Sequence, residues 1–340
     1  MSRRQQLAKI LRASGGLGLV NQYWGKQRIT VLAYHRIIEW NTPTFADYEP
    51  VVSATPAMFE QQMAYIAKNF NVISLAQLQN FLFHNEALPE RPLLITFDDG
   101  FTDNYDYAFP ILKKFGFPAV IFLVTSRMTN PTRLWWDEVA YAFHHTRLTG
   151  ADLPLIGKHT WTNESERKAT RESLIQRLKA VPEAQKLEAV ALTSQRLEIA
   201  PSQDKLFISW EQVRELVAND VACQPHTVTH PIMTRISPQE VQQQLAQAKA
   251  DIERETQQTA TAFAYPNGTP SDYDQTTMQI LREVGYNTAF TLVAGPMPAT
   301  EAQQHPLQIK RVYLGNRDSL DIYASKVMGI PALLDKTPYL

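Results

Sequence analysis

Residues 93–100 read LLITFDDG. Five residues, apolar except for one threonine, run without alternation into two adjacent carboxylates and a glycine. Such a run suits a strand buried on both faces, as in a parallel sheet. The pattern recurs along the chain: ITVLAY at 29–34, AVIFLV at 119–124, VACQ at 221–224, AFA at 262–264, TAFTL at 288–292 and IKRVYL at 309–314. Helical patterns lie between these runs. Met58, Met63, Ile66 and Phe70 predict one apolar stripe after Thr55-Pro56, a cap followed by a first-turn proline. Residues 105–115 read as a helix stopped by Gly116, and 272–284 as another stopped by Gly285. Ser237 and Glu240 have the spacing of a capping box at the head of a long helix. Alternating strands and helices predict an α/β fold whose parallel strands are joined by right-handed crossovers. Seven strand candidates predict a closed or nearly closed (β/α)7 barrel, with an open doubly wound sheet as the alternative.

From about Asp137 to Lys205 the composition turns polar and charge-mixed, with helical patterns at 164–178 and 182–197. We read this stretch as a helical insertion in one βα connection. A single barrel then spans 29–330, between a basic segment at 1–28 and a tail at 331–340.

Composition limits what the barrel can do. Of 340 residues, 44% are hydrophobic and 20% charged, enough to bury a sizeable core. With 33 basic and 34 acidic residues the formal charge is -1, which offers no overall field for nucleic acid. No Walker loop or GxGxxG is present to cradle a nucleotide. The single cysteine, Cys223, excludes an internal disulfide framework and a thiolate zinc cluster, so any metal must use histidines and carboxylates. The first 38 residues carry seven Lys or Arg and no Asp or Glu, which raises peripheral association with an anionic membrane face. No apolar run approaches the roughly 18 residues of a membrane span, and no convincing signal peptide is present; a cytoplasmic location is the expectation.

The residues that could carry chemistry gather at strand ends, the catalytic face of α/β barrels. Thr96-Phe97-Asp98-Asp99-Gly100 ends the second strand. Adjacent side chains there point in different directions, so one carboxylate can hold a metal while the other faces substrate or water. His226-Thr227-Val228-Thr229-His230 follows the 221–224 strand; histidines four apart on one side of a helical turn can reach a common ion. Tyr34-His35-Arg36 ends the first strand and offers a candidate proton donor. Phe263-Ala264-Tyr265-Pro266-Asn267-Gly268 ends another in a tight turn that could line a pocket. Trp135-Trp136-Asp137 could pack against a sugar ring or into the core. Arg311, inside the last strand, would need a buried carboxylate as its partner.

TFDDG at 96–100, HTVTH at 226–230 and FAYPNG at 263–268, in this order, resemble the polysaccharide deacetylase family (NodB-like carbohydrate esterases) from about residue 29 to residue 314. The resemblance implies a distorted (β/α)7 barrel, a divalent metal (usually zinc) and hydrolysis of N-acetyl or O-acetyl groups on a carbohydrate. Position by position, Asp98 resembles the catalytic base, and Asp99, His226 and His230 the metal ligands. The arginine that the family places beside its tyrosine-proline motif is Ala264 here, and Arg311 is its possible replacement. The family's C-terminal acid histidine has no counterpart. Tyr34-His35 resembles instead the branch that includes poly-N-acetylglucosamine deacetylases, where the acid sits on the first strand. The implied function is removal of N-acetyl groups from an N-acetylhexosamine glycan, with protonated His35 as acid, Arg311 holding Asp98 ionised, a backbone N–H near Tyr265 at the oxyanion, and Tyr265, Trp135 and Trp136 lining the substrate. An O-acetyl esterase, a non-sugar amidohydrolase and a non-catalytic carbohydrate-binding relative are the alternatives.

Overall fold

The computed structural model describes residues 6, 8–10, 28–200, 202 and 204–330. The basic segment at 1–28 and the tail at 331–340 thus lie almost entirely outside the described residues. Seven parallel strands form the frame: β1 (Arg28–Tyr34), β2 (Pro92–Asp99), β3 (Ala119–Leu123), β4 (Val221–Pro225), β5 (Ala262–Ala264), β6 (Thr288–Ala294) and β7 (Ile309–Tyr313). Their order is β5–β6–β7–β1–β2–β3–β4. No strand ladder joins β4 to β5 among the described residues; the Gln224 side chain spans that seam. Its Oε1 accepts from the backbone N–H of Thr261 at 3.0 Å and of Ala262 at 2.9 Å. The fold is therefore the nearly closed barrel of the sequence reading and not the open sheet.

Both faces of the strands are buried, which explains the unbroken apolar runs. Period-two alternation divides them. Leu32, Tyr34, Leu93, Ile95 and Phe97 pack outward with Phe59, Met63 and Ile66 of helix α1 (Pro56–Asn69). Val31, Leu94, Val120, Phe122, Ala264, Phe290 and Ile309 form a second cluster in the barrel interior. Two residues beyond Leu94 comes Thr96, then Asp98; two beyond Ile309 comes Arg311. The alternation that buries the leucine and isoleucine also turns a carboxylate and a guanidinium inward.

Three local expectations need correction. The buried stripe of α1 is Phe59, Gln62, Met63 and Ile66, while Met58 and Phe70 sit at its half-buried margins. Residues 105–115 are not one regular helix: a wide π turn at Asn104–Ala108 precedes α2 (Phe109–Phe115). Pro110 has no N–H for the regular ladder, a local reason for the widened turn. The connection between β3 and β4 is not only helical. It holds α3 (Trp135–His145), an antiparallel hairpin of Gly150–Leu153 with Gly157–Thr160, α4 (Glu164–Ala180), α5 (Glu183–Arg196) and α6 (Trp210–Val217). On its return it clasps the DDG turn. Thr102 N–H donates to the Leu206 carbonyl at 2.8 Å, and Ile208 N–H to the Gly100 carbonyl at 3.0 Å. Among the described residues no helix is long and apolar enough to cross a membrane.

Candidate active site

Asp98 lies inside the barrel mouth with 1% of its surface exposed. Arg311 grips it with a planar fork: Nη1 donates to Oδ1 and Nη2 to Oδ2, each at 2.8 Å. The guanidinium is itself fixed, with Nε donating to the Thr291 carbonyl at 2.8 Å and Nη1 to Thr96 Oγ1 at 3.2 Å. Burial pushes the Asp98 carboxyl up, but Arg311, with His226 and His35, carries it down to about 2. It is ionised at any neutral pH. A bidentate arginine pair is the geometry that best holds a buried carboxylate charged.

Asp99 faces the other way. Its φ of +73° is in the left-handed region and ends the strand alternation. Both its oxygens are buried without a hydrogen-bond partner. Its Oδ1 lies 3.7 Å from His226 Nε2 and 3.5 Å from His230 Nε2. One ligand atom from each of Asp99, His226 and His230 lies within 4.8 Å of the others. Atoms bound about 2.0–2.2 Å from a tetrahedral cation are about 3.3–3.6 Å from one another, so the spacing fits a shared ion. The donor chemistry fits as well. His226 Nδ1 is 2.7 Å from the Ala264 carbonyl; as donor to that oxygen it leaves Nε2 with a free lone pair. Burial lowers both histidines, keeping the imidazoles neutral as ligation requires. Burial, then Asp98 and Asp137, push the Asp99 carboxyl far above the usual range, a balance that a divalent cation would reverse.

The two histidines do not sit on a helical turn. Residues 226–230 form a loop with φ of +70° at Thr227 and +65° at His230. Such values are strained for a β-branched residue, and the surroundings hold them. Thr227 Oγ1 accepts from His230 N–H at 2.9 Å, while Gln244 Oε1 accepts from the N–H groups of Val228 and Thr229. Left-handed residues outside helical geometry, and not the i, i+4 spacing, bring the rings to 4.8 Å between centroids.

His35 enters the same mouth from β1. Its Nε2 is 3.8 Å from Asp98 Oδ2, and its Nδ1 is buried without a partner. Its backbone is pinned by Ser53 Oγ at 2.9 Å and Asn104 Nδ2 at 2.6 Å. Burial lowers its pKa to about 4, with Asp98 opposing and Arg311 and His226 assisting. The resting imidazole is therefore neutral at pH 7, whereas the sequence reading had it already protonated.

The other sequence candidates are placed differently. Tyr265 is fully buried, its hydroxyl donating to the Leu307 carbonyl at 3.0 Å and its ring stacked on Tyr273 at 4.3 Å. Its N–H donates to the Phe290 carbonyl, so that group is not free for an oxyanion. The motif contributes instead through Ala264, whose carbonyl orients His226. Trp135 and Trp136 are not an exposed pair; 7% and 3% of their surfaces are accessible. Trp136 stands edge-on to His230 at 4.7 Å, with its Nε1 buried and unpartnered.

Three charged groups near this mouth escaped the sequence reading. Asp137, fully buried, accepts from Tyr48 N–H at 2.9 Å through Oδ1 and leaves Oδ2 unpartnered. Burial, then Asp47, push its carboxyl up to about 7 against Arg36 and Arg133. Arg36 donates to Asp103 at 2.8 Å and Asp47 at 2.5 Å. Lys186 of α5 is 1% exposed, 2.6 Å from Glu183 and 5.0 Å over the Trp135 ring. Asp137 directly follows the tryptophan pair and Arg36 directly follows His35. Their positions in those two motifs were the available signal.

Comparison with known proteins places the chain in a family. The polysaccharide deacetylase family matches residues 85–201 and 189–289, more than half of the chain. The Bacillus subtilis protein YxkH is 21% identical over 269 residues, 79% of this chain and 66% of that protein. The poly-β-1,6-N-acetyl-D-glucosamine N-deacetylase of Escherichia coli K12 is 29% identical over 114 residues, 33% of this chain and 16% of that enzyme. The chain thus spans just under two thirds of the first relative and a small part of the second. Among solved structures, the Streptococcus pyogenes deacetylase PplD superposes with a TM-score of 0.59 at 19% identity, covering 88% of this chain and 98% of that one. The BpsB deacetylase domain of Bordetella bronchiseptica gives 0.52 at 21%, covering 86% and 97%. Those two likenesses speak to the fold, and the family match speaks to the kind of protein built on it: this chain belongs to the polysaccharide deacetylase family.

Proposed function

We propose that this chain hydrolyses N-acetyl groups from a glycan containing N-acetylhexosamine. One observation carries the reading. A carboxylate held ionised by a guanidinium fork lies beside a buried, unpartnered carboxylate that faces two neutral imidazoles. That arrangement joins a base to a site for a cation. Asp99, His226 and His230 would hold the ion, zinc being in keeping with this donor set, and it would supply Lewis acidity and an acidified water.

The chain's own residues supply the rest. Asp98 accepts the proton of the attacking water while Arg311 keeps its oxygens oriented. An amine leaves poorly unless protonated, so amide cleavage needs an acid. Neutral His35 can take the proton from Asp98 across their 3.8 Å separation. The imidazolium formed in mid-turnover then donates to the departing nitrogen. His35 is charged only during the reaction, which suits a ring buried beside a guanidinium.

The choice of an amide of a hexosamine is supported by the name of the E. coli relative, a poly-β-1,6-N-acetyl-D-glucosamine N-deacetylase. The test is acetate release, with and without chelator, from β-1,6- and β-1,4-linked N-acetylglucosamine oligomers and from acetylated xylan. Chelator-sensitive release from the hexosamine oligomers supports the reading. Release from xylan alone would make the chain an O-acetyl esterase, and release from none would remove the enzyme reading.

A further inference from the structure

His35 stands between two strand pairings. β1 ends at Tyr34, and Arg36–Ile37 pair separately with Val52–Ala54. At this break the backbone of His35 bonds to side chains. Its N–H donates to Ser53 Oγ at 2.9 Å, and its carbonyl accepts from Asn104 Nδ2 at 2.6 Å. The two residues that follow are tied to the neighbour of Asn104: Asp103 Oδ1 accepts from Ile37 N–H at 2.7 Å, and Oδ2 from Arg36 Nε at 2.8 Å. Asp103 and Asn104 are both buried. They lie in the turn that directly follows Asp98-Asp99-Gly100, where Asn104 opens the wide π turn before α2. Such turns recur at functional sites.

The imidazole of His35 has no hydrogen bond of its own among the described residues. Nδ1 is unpartnered, and Nε2 is 3.8 Å from Asp98 Oδ2, beyond hydrogen-bond length. The Tyr313 ring stands edge-on to it at 6.0 Å between centroids. A ring without polar anchors takes its place from its backbone, which allows it only a few staggered rotamers. That backbone is held through Asn104 by the same stretch of chain that carries Asp98. One amide therefore links the strand of the acid to the strand of the base. The link has a cost, because Asn104 Oδ1 is buried without a partner and an unpaired buried acceptor destabilises the fold. An amide that spends one end unpaired and gives the other to the His35 carbonyl is better suited to placing that residue than to stabilising the turn.

We propose that Asn104 is a positioning residue: through the His35 carbonyl it sets the distance from the imidazole to Asp98 and to the departing nitrogen, and so the proton relay from base to acid. This role rests on the proposed deacetylase reading, in which His35 delivers that proton. The test compares kcat/KM on an N-acetylglucosamine oligomer with kcat/KM on nitrophenyl acetate, whose leaving group departs without protonation. Both are measured in the full chain and in Asn104→Ala and Ser53→Ala, each with His35 intact and with His35→Ala. Asn104→Ala should lose about tenfold or more on the oligomer and several-fold less on the ester. In the His35→Ala background it should lose almost nothing further, because its effect passes through that ring. Ser53→Ala removes the other anchor, should show the same selectivity, and keeps the test open if Asn104→Ala folds poorly. The magnetic resonance signals of the His35 ring, assigned by their loss in His35→Ala, give a readout that needs no turnover. They should move in Asn104→Ala while those of His226 stay in place. Unmoved His35 signals, equal losses on both substrates, or losses that add to those of His35→Ala overturn the role of Asn104 and leave the deacetylase reading standing. If the wild type releases no acetate from any N-acetylated oligomer, the deacetylase reading fails, and the ring signals alone decide whether Asn104 places His35.

Discussion

Arg311→Met isolates the element on which the proposed base depends. The substitution removes a guanidinium that makes four hydrogen bonds, two of them to Asp98, in a position with no exposed surface. Methionine is long and apolar enough to fill most of the space. What remains is a buried carboxylate without its partner, and breaking such a pair destabilises by about 3–5 kcal/mol. The titration of Asp98 should change as well. In the wild type its carboxyl is lowered from 3.8 to about 2, equivalent to about 2–3 kcal/mol. That stabilisation is present above pH 3.8 and is lost as the pH falls through 2. Without the guanidinium, burial becomes the leading influence and acts in the opposite direction. The acid limb of kcat/KM should then rise by about one to three pH units. Melting temperature should fall as the pH rises through that limb, a trend the wild-type Asp98 cannot produce there. Arg311→Lys keeps the charge but not the fork, and should lie between the two. The assay is kcat/KM for acetate release between pH 2 and 10, with thermal melting in the same buffers. An unshifted acid limb in Arg311→Met, together with unchanged melting, would refute the role assigned to this pair.

Asp98→Asn should retain the cation but lose at least about 10²-fold in rate, since the amide cannot accept the water's proton; near wild-type turnover would remove Asp98 as base. His226→Ala should lose bound metal by elemental analysis, and full retention would overturn the ligand set. His35→Ala should slow amide substrates far more than activated acetate esters, whose leaving groups depart without protonation; equal losses on both would count against proton delivery by His35. Asp137, raised to about 7, destabilises the fold as the pH climbs from 3.8 through 7. Asp137→Asn keeps the acceptor for Tyr48 N–H and should flatten the fall in melting temperature between pH 4 and 8, by the equivalent of a few kcal/mol at most. An unaltered slope would mean that Asp137 titrates elsewhere.

The barrel was legible because strands buried on both faces write themselves as unbroken apolar runs, and all seven such runs are strands. The meeting of Asp99, His226 and His230 was legible because all three follow the ends of those runs. What the sequence hid was conformational. Nothing in HTVTH announces that Thr227 and His230 take positive φ, so the histidine spacing read as a helical turn. Tyr265 was misread because a strand-end tyrosine looks alike whether it faces the mouth or the Phe263–Tyr273–Tyr286 cluster that in fact surrounds it. The 150–160 hairpin was hidden by its polar, solvated sides, which leave no period-two signal. Asp137 and Arg36 were passed over because pairing among Asp47, Asp103 and Arg133 spans distant segments, and only the folded chain brings them together.

The place of Arg311 follows from the geometry of the barrel. In a small closed barrel, inward side chains of alternate strands share a layer and meet across the strand between them. β7 and β2 both flank β1, so an inward residue on β7 faces an inward residue on β2 across Ala33 and Leu32, which pair with both neighbours. Tyr313 and Thr96 meet in this way across Ala33; Arg311 lies two residues before Tyr313 and Asp98 two after Thr96, an offset that the long guanidinium side chain spans. Ala264, on β5, lies four strands from β2 by way of β6, β7 and β1, and next to the open seam on its other side. With no long side chain there, its carbonyl is free for His226 Nδ1. Guanidinium and orienting carbonyl thus come from different strands, each from one near enough to its target. Placing the arginine on β5 instead, as Ala264→Arg with Arg311→Met, should therefore not restore the wild-type pH profile. The new side chain would start beside His226 in a barrel interior already filled by Phe122 and Phe290, whose rings lie 5.3 Å apart. Recovery of the acid limb in that double variant would show that the supply of charge to Asp98 does not depend on which strand provides it.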